Sequence, residues 1–192
     1  MNTKLIKDFF ISNGFSKESG ADFFRKSNGF LNCINLQEKT TGDIFFINLG
    51  VHPAFEQINS QSLPKREIDC YIRNRLSTDE MLSIELLDSP SGVSLVINEL
   101  EEKAWVFFNF FSSIDDVFAH LSIDKIKDGD IPAEFNSVTS VRLVSMCMNY
   151  NLLRDNIGVA RDFANYGLSI AGMAVGVKKK FRQVLKDTEN NI

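Results

Sequence analysis

Between Phe23 and Leu49 apolar and polar residues follow one another with a period of two, interrupted by two clusters of turn residues. Successive side chains of a strand point to opposite faces, so this pattern predicts an antiparallel meander. The runs 21–26 and 30–37 flank Ser27-Asn28-Gly29-Phe30. Asn-Gly tolerates the positive φ that a two-residue type I′ hairpin needs at both central positions. That turn sets Ser27 opposite Phe30, Phe24 opposite Cys33 and Phe23 opposite Ile34. A second loop over Lys39-Thr40-Thr41-Gly42 would set Glu38 opposite Asp43, Leu36 opposite Phe45 and Ile34 opposite Ile47. With both turns in place, Phe23, Ile34, Leu36, Phe45, Ile47 and Leu49 share one face. The other face carries Phe24, Cys33, Asn35, Gln37, Ile44, Phe46, Asn48 and His52.

Elsewhere the period changes. Leu5, Ile6, Phe9 and Phe10 form a helical stripe, with Thr3 as a candidate N-cap and Asn13-Gly14 as its stop. Pro53, Asn59, Ser60, Ser62 and Pro64 make 52–64 a loop. Residues 67–76 read as a fourth strand, with Ile68, Cys70, Ile72 and Leu76 toward the core and Asp69, Tyr71, Arg73 and Arg75 on the polar face; a helix is the competing reading. Residues 81–87 read as a fifth, edge strand. After Ser89-Pro90-Ser91-Gly92, the stripe Val93, Val96, Ile97, Leu100, Ala104, Phe107, Phe108 and Phe111 predicts a long amphipathic helix. Trp105 and Phe110 fall off that stripe and are expected to meet the tail helices. Ser113 with Asp116 resembles a cap for a short helix through Leu121. Asp128-Gly129-Asp130 and Pro132 mark 127–136 as a linker. The tail predicts helices over 138–152, after an N-cap at Asp155, and from about Met173. The expected class is therefore α+β: an antiparallel sheet of about four to five strands packed with helices, then a C-terminal helical segment. The expected division is an α+β domain at 1–126 and a helical extension at 137–192 packed on it.

Four pieces in order resemble the bacterial domain-of-unknown-function family numbered 4304. They are Gly14-Phe15, then Ile34-Asn35-Leu36-Gln37-Glu38-Lys39, then Phe46-Ile47-Asn48-Leu49-Gly50-Val51, then Cys70-Tyr71-Ile72-Arg73-Asn74-Arg75-Leu76. The resemblance covers roughly the first 120 residues. It implies an α+β domain with a central antiparallel sheet and brings no known activity and no catalytic residues.

Composition narrows the chemistry. The net charge of −4 disfavours a phosphate backbone as partner, so no nucleic acid is expected. Seventeen Phe against one Trp and three Tyr supply apolar area without polar tips, which suits core packing. Cys33, Cys70 and Cys147 are widely spaced in apolar runs and read as buried free thiols, which fits a reducing, cytoplasmic location. The N-terminus lacks the continuous apolar stretch of a signal peptide. The longest apolar run, 167–177, is too short to span a bilayer, so no membrane partner is expected.

No constellation for catalysis, metal or cofactor emerges. His52 and His120 are too few and too scattered for a zinc site. There is no Gly-x-Ser-x-Gly elbow, and the glycines before Lys178-Lys179 lack P-loop spacing. Gly172 and Gly176 instead have the spacing of a close helix contact. Lys178-Lys179-Lys180 with Arg182 reads as positive charge near a helix C-terminus. The candidate binding surface is the polar sheet face with Asn35, Gln37, Asn48, His52, Tyr71, Arg73 and Arg75, whose amides and guanidinium forks suit a peptide segment or a small acid. The leading expectation is a non-catalytic protein-binding module, and within that class a bacterial immunity protein that neutralises a partner toxin. The alternative is a small-ligand-binding protein or small enzyme using the same face.

Overall fold

A computed structural model describes residues 4–42, 44–56, 63–76 and 82–189. The chain divides into two compact units, Met1–Ser113 and Ile114–Ile192. Residues 114–126, expected with the first part, group with the second. No helix among the described residues is long and apolar enough to cross a membrane.

The first unit is a five-stranded antiparallel sheet in the order β1-β2-β3-β4-β5. Its strands are β1 (Ser16–Ser19), β2 (Asp22–Ser27), β3 (Phe30–Glu38), β4 (Phe45–Pro53) and β5 (Ile72–Leu76). The first hairpin has the expected register, Ser27 with Phe30 through Phe23 with Ile34. Asn28 and Gly29 supply φ of 46° and 83°. The second hairpin is two residues out of the expected register. Glu38 faces Phe45, Leu36 faces Ile47 and Ile34 faces Leu49. The cause lies in the turn. The Lys39 N–H donates to the Ile44 carbonyl at 2.8 Å, so the loop is 40–43 and not 39–42. The expected partner Asp43 lies outside the described residues. A slip of two keeps every side chain on its face, whereas a slip of one would reverse them all.

The fourth strand starts late. Glu67–Asp69 form a 3-10 turn, and Ile68, expected in the core, is 60% exposed. Cys70 is buried, but in a cluster with Phe24, Leu31 and Cys33 on the opposite side of the sheet from the main core. Gly50 explains the departure. It stands between Cys33 and Arg73 in the ladder, and a Cβ built there would lie 2.8 Å from Cys70 Sγ and 3.0 Å from Cys70 Cβ. The missing side chain opens the space into which 67–70 folds over the sheet. The expected fifth strand over 81–87 is absent within 82–87. Ser83 makes a single bridge to Ile44 and Ile84–Asp88 turn as 3-10 helix, while Met81 lies outside the described residues. The sheet's additional strand is instead β1, at the edge beside β2 and opposite the β5 edge, and its Ser-Lys-Glu-Ser sequence carries no apolar alternation.

Helix α1 (Lys4–Ser12) and the segment formed by α2 (Pro90–Glu99), a π turn at Leu100–Ala104 and α3 (Trp105–Phe110) cover the apolar face. Phe10 meets Phe23 edge-on at 5.1 Å, and Phe30 meets Phe111 at 5.5 Å. Ser89 Oγ caps α2 by accepting from the Gly92 N–H. Ile6 and Phe10 are fully buried, whereas Leu5 is half-exposed; the N-cap expected at Thr3 lies outside the described residues. Trp105, expected on the tail, stacks on Phe9 and Phe15 at 5.7 and 6.0 Å.

The second unit contains α4 (Ile114–Phe118), α5 (Ile123–Asp128), α6 (Ser140–Leu153), α7 (Ile157–Ile170) and α8 (Val175–Asp187). The expected linker 127–136 is structured. Gly129 ends α5 with φ 72°, and Phe135 is fully buried in a 3-10 turn against Phe118. Asn156, not Asp155, holds the N-cap position of α7. The close helix contact is at Gly167, where a Cβ would lie 2.3 Å from Phe181 Cζ. Gly172 and Gly176 have nothing within 4 Å of a built Cβ, so their spacing marks no helix contact among the described residues. Lys178 to Arg182 lie in the middle of α8 and not at its C-terminus.

Candidate functional site

The side of β2, β3 and β4 away from α1 carries the polar residues that alternation assigns to it. β2–β3 pairing sets Asp22 beside Asn35, and β3–β4 pairing sets Asn35 beside Asn48. β4–β5 pairing then sets Asn48 beside Arg75 and Gly50 beside Arg73. Four strands thus bring Asp22, Asn35, Asn48 and Arg75 into one row.

The row is hydrogen-bonded end to end. Arg75 Nε donates to Asn48 Oδ1 at 2.8 Å. Asn48 Nδ2 donates to Asn35 Oδ1 at 3.2 Å and to Gln37 Oε1 at 3.0 Å. Asn35 Nδ2 donates to Asp22 Oδ1 at 3.0 Å. The ends fix the amide orientations, because a guanidinium can only donate and a carboxylate only accepts. Asn48 must turn its oxygen to Arg75, so its nitrogen faces Asn35 and Gln37, which must present oxygens. Arg75 also lies over the Phe46 ring, 4.4 Å from its centroid. Its terminal nitrogens make no hydrogen bond among the described residues.

The 3-10 turn closes one side of this row. The Glu67 backbone N–H donates to Asp22 Oδ1 at 2.9 Å, and the Cys33 thiol points at the same oxygen from 3.9 Å. Glu67 is buried and takes Arg73 in a bidentate pair, Nε to Oε1 at 2.7 Å and an Nη to Oε2 at 3.0 Å. This pairing holds the Arg73 guanidinium above its ordinary pKa, with burial opposing. Arg66 grips Asp69 in the same way at 3.2 and 3.1 Å, and its pKa rises for that reason. Burial pushes the Cys33 thiol well up, reinforced by its hydrogen bond to Cys70 and by the charges of Asp22 and Glu67. Both thiols sit beneath the turn as part of its packing.

Between the turn and the row lies a cavity of about 240 Å³. Asp22, Asn35, Gln37 and Asn48 line it from the sheet, and Arg66, Glu67, Ile68 and Arg73 from the turn and β5. Of the residues expected to form a binding surface, Asn35, Gln37, Asn48 and Arg73 therefore meet around one cavity. Arg75 lies beside it over Phe46. His52 and Tyr71 do not join them. They pack edge-on at 4.5 Å beside the Leu31 row of the ladder, where His52 is fully buried and its Nε2 meets the Glu56 carbonyl at 3.1 Å.

Sequence reasoning missed Asp22, Arg66 and Glu67. Asp22 was within reach, since the Asn-Gly turn that sets Phe24 opposite Cys33 also sets Asp22 opposite Asn35. Arg66 and Glu67 carried no such signal, because their position depends on the turn that Gly50 admits. Among the described residues no group of three or more His, Cys, Asp or Glu side chains is placed to hold a metal ion.

No curated protein and no solved structure matches the chain. Residues 6–109, more than half of the 192, match the model of a family described as a domain of unknown function, DUF4304. The sheet, its amide row, α2 and all but the first two residues of α1 fall inside that span, and the chain belongs to the DUF4304 family.

Proposed function

We propose that the chain is a non-catalytic protein-binding module that docks its partner on the amide-bearing face of the sheet. Arg75 carries this reading. Its guanidinium lies over the Phe46 ring and is tied at Nε to Asn48, so its terminal nitrogens are in place before any partner arrives. Arginine and aromatic side chains dominate the energetics of protein interfaces, and pre-ordering them removes part of the entropy of binding. The non-catalytic side of the reading rests on the carboxylates. Glu67 is committed to Arg73 and Asp69 to Arg66, and Asp22 is held at Oδ1 by three donors with no nucleophile or second free carboxylate beside it in the lining, which favours binding over acid–base work.

Within that class the reading is a cytoplasmic immunity protein of bacterial type that neutralises a partner toxin. A net charge of −4 on a chain of this size favours a basic partner. The test is affinity purification of the tagged chain and of Arg75→Glu from the source cells. The expected result is one stoichiometric protein partner with the parent and its loss with the variant. That partner should arrest growth when expressed alone and be tolerated when the chain is co-expressed. Recovery of the parent by itself, in repeated preparations, overturns the docking reading.

A second reading, a small-ligand binder or small enzyme, draws on the cavity between the turn and the sheet. It requires a metabolite that raises the unfolding temperature of the parent and leaves that of a cavity-lining variant unchanged.

A further inference from the structure

We propose that the cavity beside the amide row receives a cationic hydrogen-bond donor, an ammonium or guanidinium head at the end of an alkyl stem, presented by a basic side chain of the docked partner. The inference rests on the docking reading for who presents the group, and on the cavity alone for its chemistry.

Asp22 is the starting point. It is only 7% exposed, and it lines the cavity. Its Oδ1 accepts from three neutral donors, the Asn35 amide, the Glu67 backbone N–H and the Cys33 thiol. Its Oδ2 receives no hydrogen bond among the described residues, and no salt bridge there reaches the carboxylate. A buried charge without a bonded counter-ion is unfavourable unless something completes it; Arg66 attracts it only through space, being largely exposed and bonded to Asp69. Of the other charges in the lining, Glu67 is paired with Arg73, and Arg66 is paired with Asp69, which stands outside the cavity. The uncompensated charge is therefore negative.

The amide orientations point the same way. Because Arg75 and Asp22 fix the two ends of the row, Asn35 and Gln37 both present oxygens, each with a lone pair beyond the one that Asn48 uses. Asp22 Oδ2 and these oxygens form an acceptor set suited to an ammonium or guanidinium. An anion finds less here, since the Arg66 and Arg73 forks are already engaged by carboxylates. At the rim, Ile68 exposes 60% of its surface and offers an apolar wall for the methylene stem of lysine or arginine.

The test is a chemical-shift titration of the isotope-labelled full chain with n-butylammonium and n-butylguanidinium, and with n-butanol and acetate as controls. Saturable shifts of the Asn35 and Gln37 side-chain amides are expected with the two cations and with neither control. Asp22→Asn keeps an acceptor at Oδ1 and removes the charge; binding should weaken about tenfold or more, as expected for loss of a charge-assisted bond. Arg66→Gln removes an exposed competing cation and should strengthen binding about two- to threefold. It keeps the proposal testable if Asp22→Asn fails to fold. Absence of saturable shifts, equal shifts with acetate, or weaker binding in Arg66→Gln each overturn it. Cation binding by a chain that captures no partner upholds the cavity chemistry and removes the docking reading. Partner capture with no cation binding does the reverse.

Discussion

Gly50→Ala tests the feature from which the cavity follows, the folding of 67–70 over the sheet. Two effects oppose each other. Replacing glycine by alanine in an extended segment reduces the freedom of the unfolded chain and by itself stabilises by roughly 0.4–1 kcal/mol. Against this, the new Cβ would stand 2.8 Å from Cys70 Sγ, 3.0 Å from Cys70 Cβ and 3.3 Å from Glu67 Cγ. Cys70 and Glu67 are both buried, so neither can swing away into solvent. Overpacking of a fixed core of this kind costs about 1–3 kcal/mol. The clash wins, and the net loss is about 1–2 kcal/mol. Trp105, the one tryptophan, stacks on Phe9 and Phe15 in the same unit, so its fluorescence in urea follows the unfolding of the sheet. With a slope of about 1–3 kcal/mol per molar urea, the midpoint should fall by about 1 M. Cys70→Ala removes the nearest atom, so Gly50→Ala with Cys70→Ala should lose less than the two single losses added together. A midpoint for Gly50→Ala equal to or above that of the parent refutes the placement of 67–70 over β4.

Three further outcomes follow from named contacts. Asn48→Leu leaves Asn35, Gln37 and Arg75 each short of a partner at the middle of the row; it should destabilise by about 2–3 kcal/mol in the same urea assay. Gly167→Ala would gain about 0.5–1 kcal/mol in an isolated helix, but its Cβ meets the buried Phe181 ring. It should lower stability by about 1–3 kcal/mol, read by far-ultraviolet circular dichroism, and a rise would mean α7 and α8 are not so packed. The raised pKa of Cys33 keeps its thiol protonated in the folded chain while the unfolded thiol ionises above about pH 8.5. The unfolded state then binds fewer protons, so stability falls as pH rises past that point, by up to about 1.4 kcal/mol per unit for this one group. Cys33→Ala should flatten the urea midpoint against pH in that range; an unchanged slope would count against burial of this thiol.

The parts of the fold that were legible in the sequence are those fixed locally. Asn28-Gly29 closes a two-residue turn, so it pins the β2–β3 register with no freedom to slip. The loop 40–43 is four residues long, and two adjacent choices of loop satisfied the same alternation; the slip left every face correct. The stripe from Val93 to Phe111 was legible although the helix passes through a π turn at Leu100–Ala104. Where the sequence misled, a distant residue decided. Ile68, Cys70 and Ile72 alternate like a strand, yet Gly50, some twenty positions earlier, admits a turn there instead. β1 was invisible because Ser16–Ser19 has no apolar alternation and is held by backbone pairing at the edge of the sheet. His52 and Tyr71 share the parity of Asn48 and Arg73, but parity gives the face and not the position along it. The loop after β4, which brings the Glu56 carbonyl to His52, buries that end.

The amide row has a direction that no single residue in it possesses. Arg75 can only donate, Asp22 as carboxylate only accepts, and the asparagines between them transmit that difference from one side of the sheet to the other. An Asn48 turned end for end would set its nitrogen against the Arg75 guanidinium and its oxygen against Asn35 and Gln37, which could meet it only by turning as well. Asn35 would then face Asp22 oxygen to oxygen. The reversed row loses a bond at each end, so one arrangement dominates. The face consequently offers donors at its β5 side and acceptors at its β2 side. Under the docking proposed above, a segment with the opposite order of charges would meet repulsion at both ends, so the row would select one orientation of a bound partner.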